Sequence, residues 1–344
     1  MKQRVIGQLC VGPGEGDRYL AEILEDKSRF CDVIIVLGDG PIDEKTRKVA
    51  KSFPKVKYFQ LKESIFHTKQ WMLKQTAQQL AIKEKPDWIL AFDADDLFEK
   101  ALTPKKFQEL IAHEDPSWTF RYVHLWGDRE HYRVDKFWKM NKPILYRYNP
   151  DVSQMFKPTP LHTGLVPKAY YKYASSSPYI VEHLGYMDPK DMPLKIARYK
   201  KYDPESKYTA EGYYESMKAK AHVELYDPEK IRHPLEHNKQ LAWTEEQNKK
   251  NDLTRKEVIE TYLVENLTGK RVQIPASLLD QVKQAGFKIL SKVDVGAPLS
   301  PEIEVAELMD DSGFVCEYCG QVCKSAAGLK AHIRGKHKKK QKSA

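Results

Sequence analysis

Cysteine is scarce in this chain, five in 344 residues, and the five show no pattern of paired secretory cysteines, which excludes a disulfide-framework domain. Long apolar runs are missing as well. No stretch approaches the ~18 consecutive apolar residues of a membrane-spanning helix, and the N-terminus has no apolar leader core, so the expectation is a soluble, cytoplasmic protein without a membrane span. No internal repeat is visible. Acidic residues are nearly absent from the end of the chain: residues 314–344 hold eight Lys or Arg against the single Glu317, which accounts for seven of the net charge of +9. The remainder is close to neutral. The basic character therefore belongs to a tail (Lys336, Lys338, Lys339, Lys340, Lys342), suited to salt-sensitive, sequence-indifferent contact with a phosphate backbone or to a simple solvated end.

What is present, 41% hydrophobic and 11% aromatic residues, is enough for a sizeable core. The first hundred residues alternate strand and helix patterns. Residues 4–11 read as a short apolar strand, followed by a Gly/Pro-rich turn (Gly12, Pro13, Gly14, Glu15, Gly16) and a helical run over 18–25. A strand over 32–37 leads through Gly38-Asp39-Gly40-Pro41 to a helix opening at Asp43, a suitable cap. A third strand (56–60) and a helix over 68–83 precede the buried-strand pattern that starts at Trp88. That order predicts an α/β fold with a doubly wound, mostly parallel sheet whose site lies at the strand C-termini.

The Trp88 strand runs straight into Asp93, Asp95 and Asp96. Carboxylates delivered to the carboxyl end of a strand suit a divalent cation that holds a diphosphate; taken alone, the same pattern also describes a helix cap or solvated turn. Further along, a strand over 118–126 ends in Gly127, Asp128, Arg129 and Glu130. Residues 143–148 read as its partner, followed by Leu161-His162-Thr163-Gly164 and His183-Leu184-Gly185-Tyr186.

These segments resemble glycosyltransferase family 2, nucleotide-sugar-dependent enzymes of GT-A fold. The likeness spans roughly residues 4–100: the first-strand turn to Glu15 and Tyr19-Leu20, the run from Val33 to Gly40, Thr68-Lys69-Gln70, and Phe92-Asp93-Ala94-Asp95-Asp96. The chain departs from the family at Gly38, where a first acidic residue is usual, and at Lys69-Gln70, where Arg-Asn is usual. The resemblance implies a donor site at Asp39, Lys69, Asp93 and Asp95. It implies Mn²⁺ or Mg²⁺ on Asp93, Asp95 and His183, with the His183 element followed by Lys195, Arg198 and Tyr199. An inverting transfer would also need a carboxylate base; Asp128 is the first choice, with Glu130 and Asp135 behind it, and an exposed charged turn is the alternative.

At the far end, Cys316-x2-Cys319-x12-His332-x4-His337 has the spacing of a two-cysteine, two-histidine zinc finger, with Phe314 and Leu329 at its small apolar core and Cys323 where an aromatic is usual. Its base-facing helix positions would be Ser325, Gly328 and Ala331, none of which can make bidentate base contacts. The expected organisation is a GT-A-like domain over 1–238, a helical connector and linker over 239–313, and a ββα finger with basic tail over 314–344. The first functional reading is a metal-dependent glycosyltransferase with the finger as docking module and an unnamed acceptor. Two alternatives stand beside it: a nucleic-acid-associated binding protein with an inactive GT-A-like domain, and a glycosyltransferase of modified nucleic-acid bases.

Overall fold

The computed structural model describes residues 3–135, 138–218 and 220–238 with their side chains, and 261–265, 271–275, 288–293, 314–315 and 322–323 as strands. β1 (Val5–Val11) passes through a helical turn at Glu15–Asp17 into α1 (Leu20–Ser28). β2 (Val33–Gly38) precedes α2 (Glu44–Lys51), and β3 (Val56–Gln60) precedes α3 (Phe66–Lys83). β4 (Trp88–Ala91) and β5 (Asp96–Phe98) flank the acidic turn. There follow α4 (Pro104–Ala112), β6 (Ser117–His124), β7 (His131–Arg133), β8 (Met140–Arg147), α5 (Lys168–Tyr171), β9 (Ala174–His183), α6 (Asp191–Tyr202), α7 (Tyr213–Ser216), β10 (Val223–Leu225) and α8 (Pro228–Ile231).

Eight strands form one sheet in the order β3-β2-β1-β4-β8-β6-β9-β5. Its first four strands are parallel, as the alternating order predicts. The other half corrects that expectation: β8 runs antiparallel to β4 and β6, β5 antiparallel to β9, and only β6 with β9 is parallel. The reason is local. The segment from β6 to β8 carries no crossover helix, so the chain returns beside itself in the opposite direction.

β2 reads Val-Ile-Ile-Val-Leu-Gly without alternation, because α1 and α3 pack against it and Ile34, Ile35, Val36 and Leu37 are fully buried. Burying each such side chain contributes about 1.5–3 kcal/mol. A second, smaller apolar cluster gathers Trp138, Tyr186, Tyr214 and Met217, with Trp126, Tyr199 and Tyr213 against it.

Beyond residue 260, β11 (Thr261–Glu265), β12 (Arg271–Pro275) and β13 (Lys288–Val293) form an antiparallel sheet in the order β12-β11-β13. This corrects the helical reading of the connector at 261–265 and 271–275. β14 (Phe314–Val315) pairs with β15 (Val322–Cys323). The proposed zinc ligands Cys316, Cys319, His332 and His337 lie outside the described residues. Among the described residues, no helix is long and apolar enough to cross a membrane.

Candidate metal and donor site

β1 sits between β2 and β4, so the chain order reverses at β1/β4, and the crevice beyond their carboxyl ends is where an open α/β sheet binds ligands. Two turns line it. The turn after β1 is fastened to α2: Asp43 accepts from the Gly14 amide at 2.7 Å and caps the helix through the Thr46 amide at 2.9 Å. Those amides hold its carboxyl down at about 2. A Cβ on Gly16 would stand 2.6 Å from the Thr46 backbone, so only glycine permits this approach.

The turn after β4 carries the acids. Asp96 opens β5, is fully buried, and pairs in register with His183 at the end of β9. Its Oδ1 lies 3.0 Å from His183 Nδ1, while Oδ2 accepts from the Tyr122 hydroxyl at 2.8 Å and the Asp93 amide at 3.0 Å. Burial opposes charge on Asp96, but the bond and charge of His183 outweigh it and hold the carboxyl below its usual range. Asp95 Oδ1 stands 3.4 Å from the same imidazole nitrogen, and its Oδ2 stands 4.0 Å from Lys195 Nζ. One ligand atom each from Asp95, Asp96 and His183 falls within 4.8 Å of the others.

With Nδ1 directed at the carboxylates, the second ring nitrogen of His183 faces Gly185. A Cβ there would come within 2.3 Å of Asp95 Oδ2, 2.7 Å of Lys195 Nζ and 2.9 Å of His183 Nε2. The glycine thus leaves room for a carboxylate oxygen, a lysine ammonium and an imidazole nitrogen to converge on this backbone. Two carboxylates and one imidazole suit Mn²⁺ or Mg²⁺, and the donor set fits such an ion.

Cations ring the cluster. Lys195 donates to the Gly185 carbonyl at 2.6 Å, and burial pulls its amine down while Asp95 holds it up. Arg18 pairs with Asp191 at the start of α6. Glu15 is half-buried, and burial, then the Asp95 carboxylate, push its carboxyl up to about 7 against Arg18, Lys195 and Arg198. His124, opposite His183 in the β6–β9 register, is buried, and its two ring nitrogens have no partner among the described residues. Burial drives its pKa well below the ordinary histidine value.

The site expected from sequence is rearranged in part. Asp95 and His183 meet as anticipated, but the second acid in the cluster is Asp96 rather than Asp93. Asp93, more exposed, faces Lys74 at 3.7 Å. Lys69 is exposed at a kink in α3, with φ −147° and ψ 46°, so the cation beside the acids is Lys74, further along the helix. Asp39 is buried and accepts from the Ser64 hydroxyl and the Ile65 and Phe66 amides, fixing the start of α3. Asp128 accepts from the Glu130 and His131 amides, both at 2.8 Å, and from the His131 ring at 2.9 Å; that ring contact foremost lowers its pKa, which weakens it as a base. Glu130 lies exposed on the same turn. Asp135 is engaged by Arg133 at 2.6 Å. Lys74 was missed as a site residue, since a lysine on a helix normally reads as a solvated face; Asp96 and Lys195 were noted beside the motifs but given no ligand or donor role.

The class defined by fold and site is an α/β protein with an acid–imidazole cluster, a candidate cation site, at the carboxyl edge of its parallel strands. No family model and no curated protein matches the chain. Among solved structures it is similar to the crystal structure of S. aureus TarS, at 14% identity and a TM-score of 0.36, over 63% of this chain and 42% of that one. It is also similar to S. aureus TarS 1-349, at 12% identity and a TM-score of 0.34, over 62% of this chain and 69% of that one. The chain thus spans less than half of the longer TarS, and a likeness this loose carries no argument about activity.

Proposed function

We propose that the chain is a metal-dependent glycosyltransferase that moves a sugar from a nucleoside-diphosphate sugar to an acceptor. The observation that carries the reading is the Asp95–Asp96–His183 cluster at the β1/β4 crevice, packed against Gly185 and flanked by Lys74 and Lys195. The family 2 resemblance of residues 4–100, which includes Asp95 and Asp96 among its motifs, supports the same reading. Asp95, His183 and Asp96 would hold Mn²⁺ or Mg²⁺, which when bound acts as a Lewis acid on the departing diphosphate. Lys195 and Lys74 add fixed positive charge near the same oxygens, in a pocket where burial strengthens it. Asp93 would face the donor, with Lys69 at the α3 kink. Asp39 keeps about one of its four lone-pair sites for a ribose hydroxyl, since three donors already bind it.

Asp128, with Glu130 beside it, is proposed as the base that takes the acceptor's proton. Asp128→Asn is the discriminating variant, because asparagine can still accept from the two turn amides while losing basicity. The finger spacing at Cys316, Cys319, His332 and His337 supports a zinc-bound docking module, and the basic tail supports a polymeric, phosphate-bearing acceptor as the second reading.

The test is thermal stability with a panel of nucleoside-diphosphate sugars, with and without Mn²⁺. A bound donor at 100 times its Kd stabilises by about 2.7 kcal/mol. We expect at least one sugar nucleotide to raise Tm only with the metal, and Asp95→Asn to abolish the rise. A panel that never shifts Tm, or an Asp95→Asn chain that responds like wild type, removes the proposal.

A further inference from the structure

A second set of metal-type ligands stands at the other end of β6. His113 follows α4, Asp115 precedes β6, and His237 lies on the segment after α8; one ligand atom from each falls within 4.8 Å of the others. His124 packs on His183 at the far end of the same strand. The eight residues of β6 span roughly 23 Å at the usual strand rise, which separates the two clusters.

The local construction is that of a supported ligand set. Asp115 is buried; one oxygen lies 2.8 Å from His237 Nδ1 and the other accepts from the Ser175 hydroxyl. Ser175 in turn accepts from the Asn238 amide at 2.9 Å. Ligating carboxylates are held by hydrogen bonds of this kind, which fix the orientation of the free lone pairs. The two imidazoles are exposed, with ring centroids 5.1 Å apart. They border a cavity of about 330 Å³ lined by His113, Glu114, Asp115, His237 and Asn238.

From this geometry we infer that His113, Asp115 and His237 bind one divalent ion of the zinc class, distinct from the ion at Asp95 and His183. Two imidazoles and one carboxylate favour such an ion over Mg²⁺, and Glu114 or water completes its shell. The ion clasps residues 236–238 to the corner between α4 and β6. That segment is also tied by Glu236 and Ser176, whose backbones exchange hydrogen bonds of 2.8 and 3.1 Å, and by the Asn238 side chain, which donates to the Lys172 carbonyl at 3.0 Å.

The test uses the full-length chain stripped of metal and re-equilibrated with zinc. His113→Ala and His237→Ala are each expected to hold one zinc fewer per chain than wild type. A Cys316→Ser, Asp95→Asn double variant, which weakens the other two sites, should retain that zinc. Ser175→Ala should weaken the site about tenfold, as loss of an outer-shell partner does. Zinc should also protect His113 and His237 of the wild-type chain from acylation by diethyl pyrocarbonate, read by peptide mass spectrometry. Equal zinc content in wild type and His237→Ala, or acylation of both histidines unchanged by zinc, overturns the inference and leaves a plain His237–Asp115 hydrogen bond.

Discussion

Lys27 shows how one side chain can set the position of a site it does not enter. It is completely buried on α1, donates to the Asp96 carbonyl at 2.7 Å and to Asp26 at 2.6 Å, and lies 4.0 Å over the Phe98 ring. Asp26 accepts from the Phe98 amide at 3.0 Å, so the pair grips both ends of β5. In Lys27→Met the Asp26 carboxylate stays buried with Arg29, 3.0 Å away, as its remaining cation. Breaking a buried pair from one side costs 3–5 kcal/mol as a rule; Arg29 puts the expected loss at about 3 kcal/mol, read from urea unfolding at constant slope. A loss below about 1 kcal/mol would mean that Lys27 does not hold the acidic turn. At this scale the sequence was only partly legible. Asp95 and His183 were named from residue type and motif, and Lys195 as part of the His183 element, whereas Lys27 and Lys74 are lysines whose role depends on burial, which no local pattern reveals.

Secondary-structure elements were more legible where short-range chemistry decides them. Helix α2 was readable from Asp43 because an aspartate with extended backbone (φ −63°, ψ 156°) bonding the Thr46 amide is the local requirement of a helix start. That the same carboxylate also holds the β1 turn through Gly14 is a long-range fact with no sequence signal. Asp43→Ala is expected to cost about 1 kcal/mol at neutral pH, the usual worth of such a cap. The sign of its pH dependence follows from the depressed carboxyl: the contribution is complete above the unfolded value of ~3.9 and fades as pH falls through about 2. Wild type and variant should therefore converge in stability between those limits; a constant difference down to pH 2 would show that charge on Asp43 contributes nothing. The misread connector has a similar explanation. Arg271-Val-Gln-Ile-Pro alternates polar and apolar residues with period two, a strand signal that the surrounding charged, helix-favouring residues obscured. The second half of the sheet was hidden because strand direction depends on connections, not on strand composition.

At the scale of the molecule, the described fold supplies a candidate cation site at one edge of a sheet, while most of the net charge sits in residues 314–344. Those two facts make separable predictions, since ion pairing with phosphate is screened by salt and a buried acid–imidazole cluster is not. If the five lysines from 336 to 342 neutralise about five phosphates of a duplex, affinity should fall by about 10²–10³ between roughly 50 and 200 mM salt, following the slope of about −0.9 per phosphate. A chain ending at residue 313 should lose retention of duplex at low salt yet keep any Mn²⁺-dependent stabilisation by a sugar nucleotide. Ser325, Gly328 and Ala331 carry no fork of donors or acceptors, so competitor duplexes of unrelated sequence should displace one another equally. A gel-shift titration checks the duplex binding, and thermal stability with Mn²⁺ and sugar nucleotide checks the truncated chain's donor response. Retention that survives 200 mM salt and discriminates between sequences would mean that side chains other than the lysines make the contacts, and truncation that leaves binding intact would move the polymer surface away from the tail altogether.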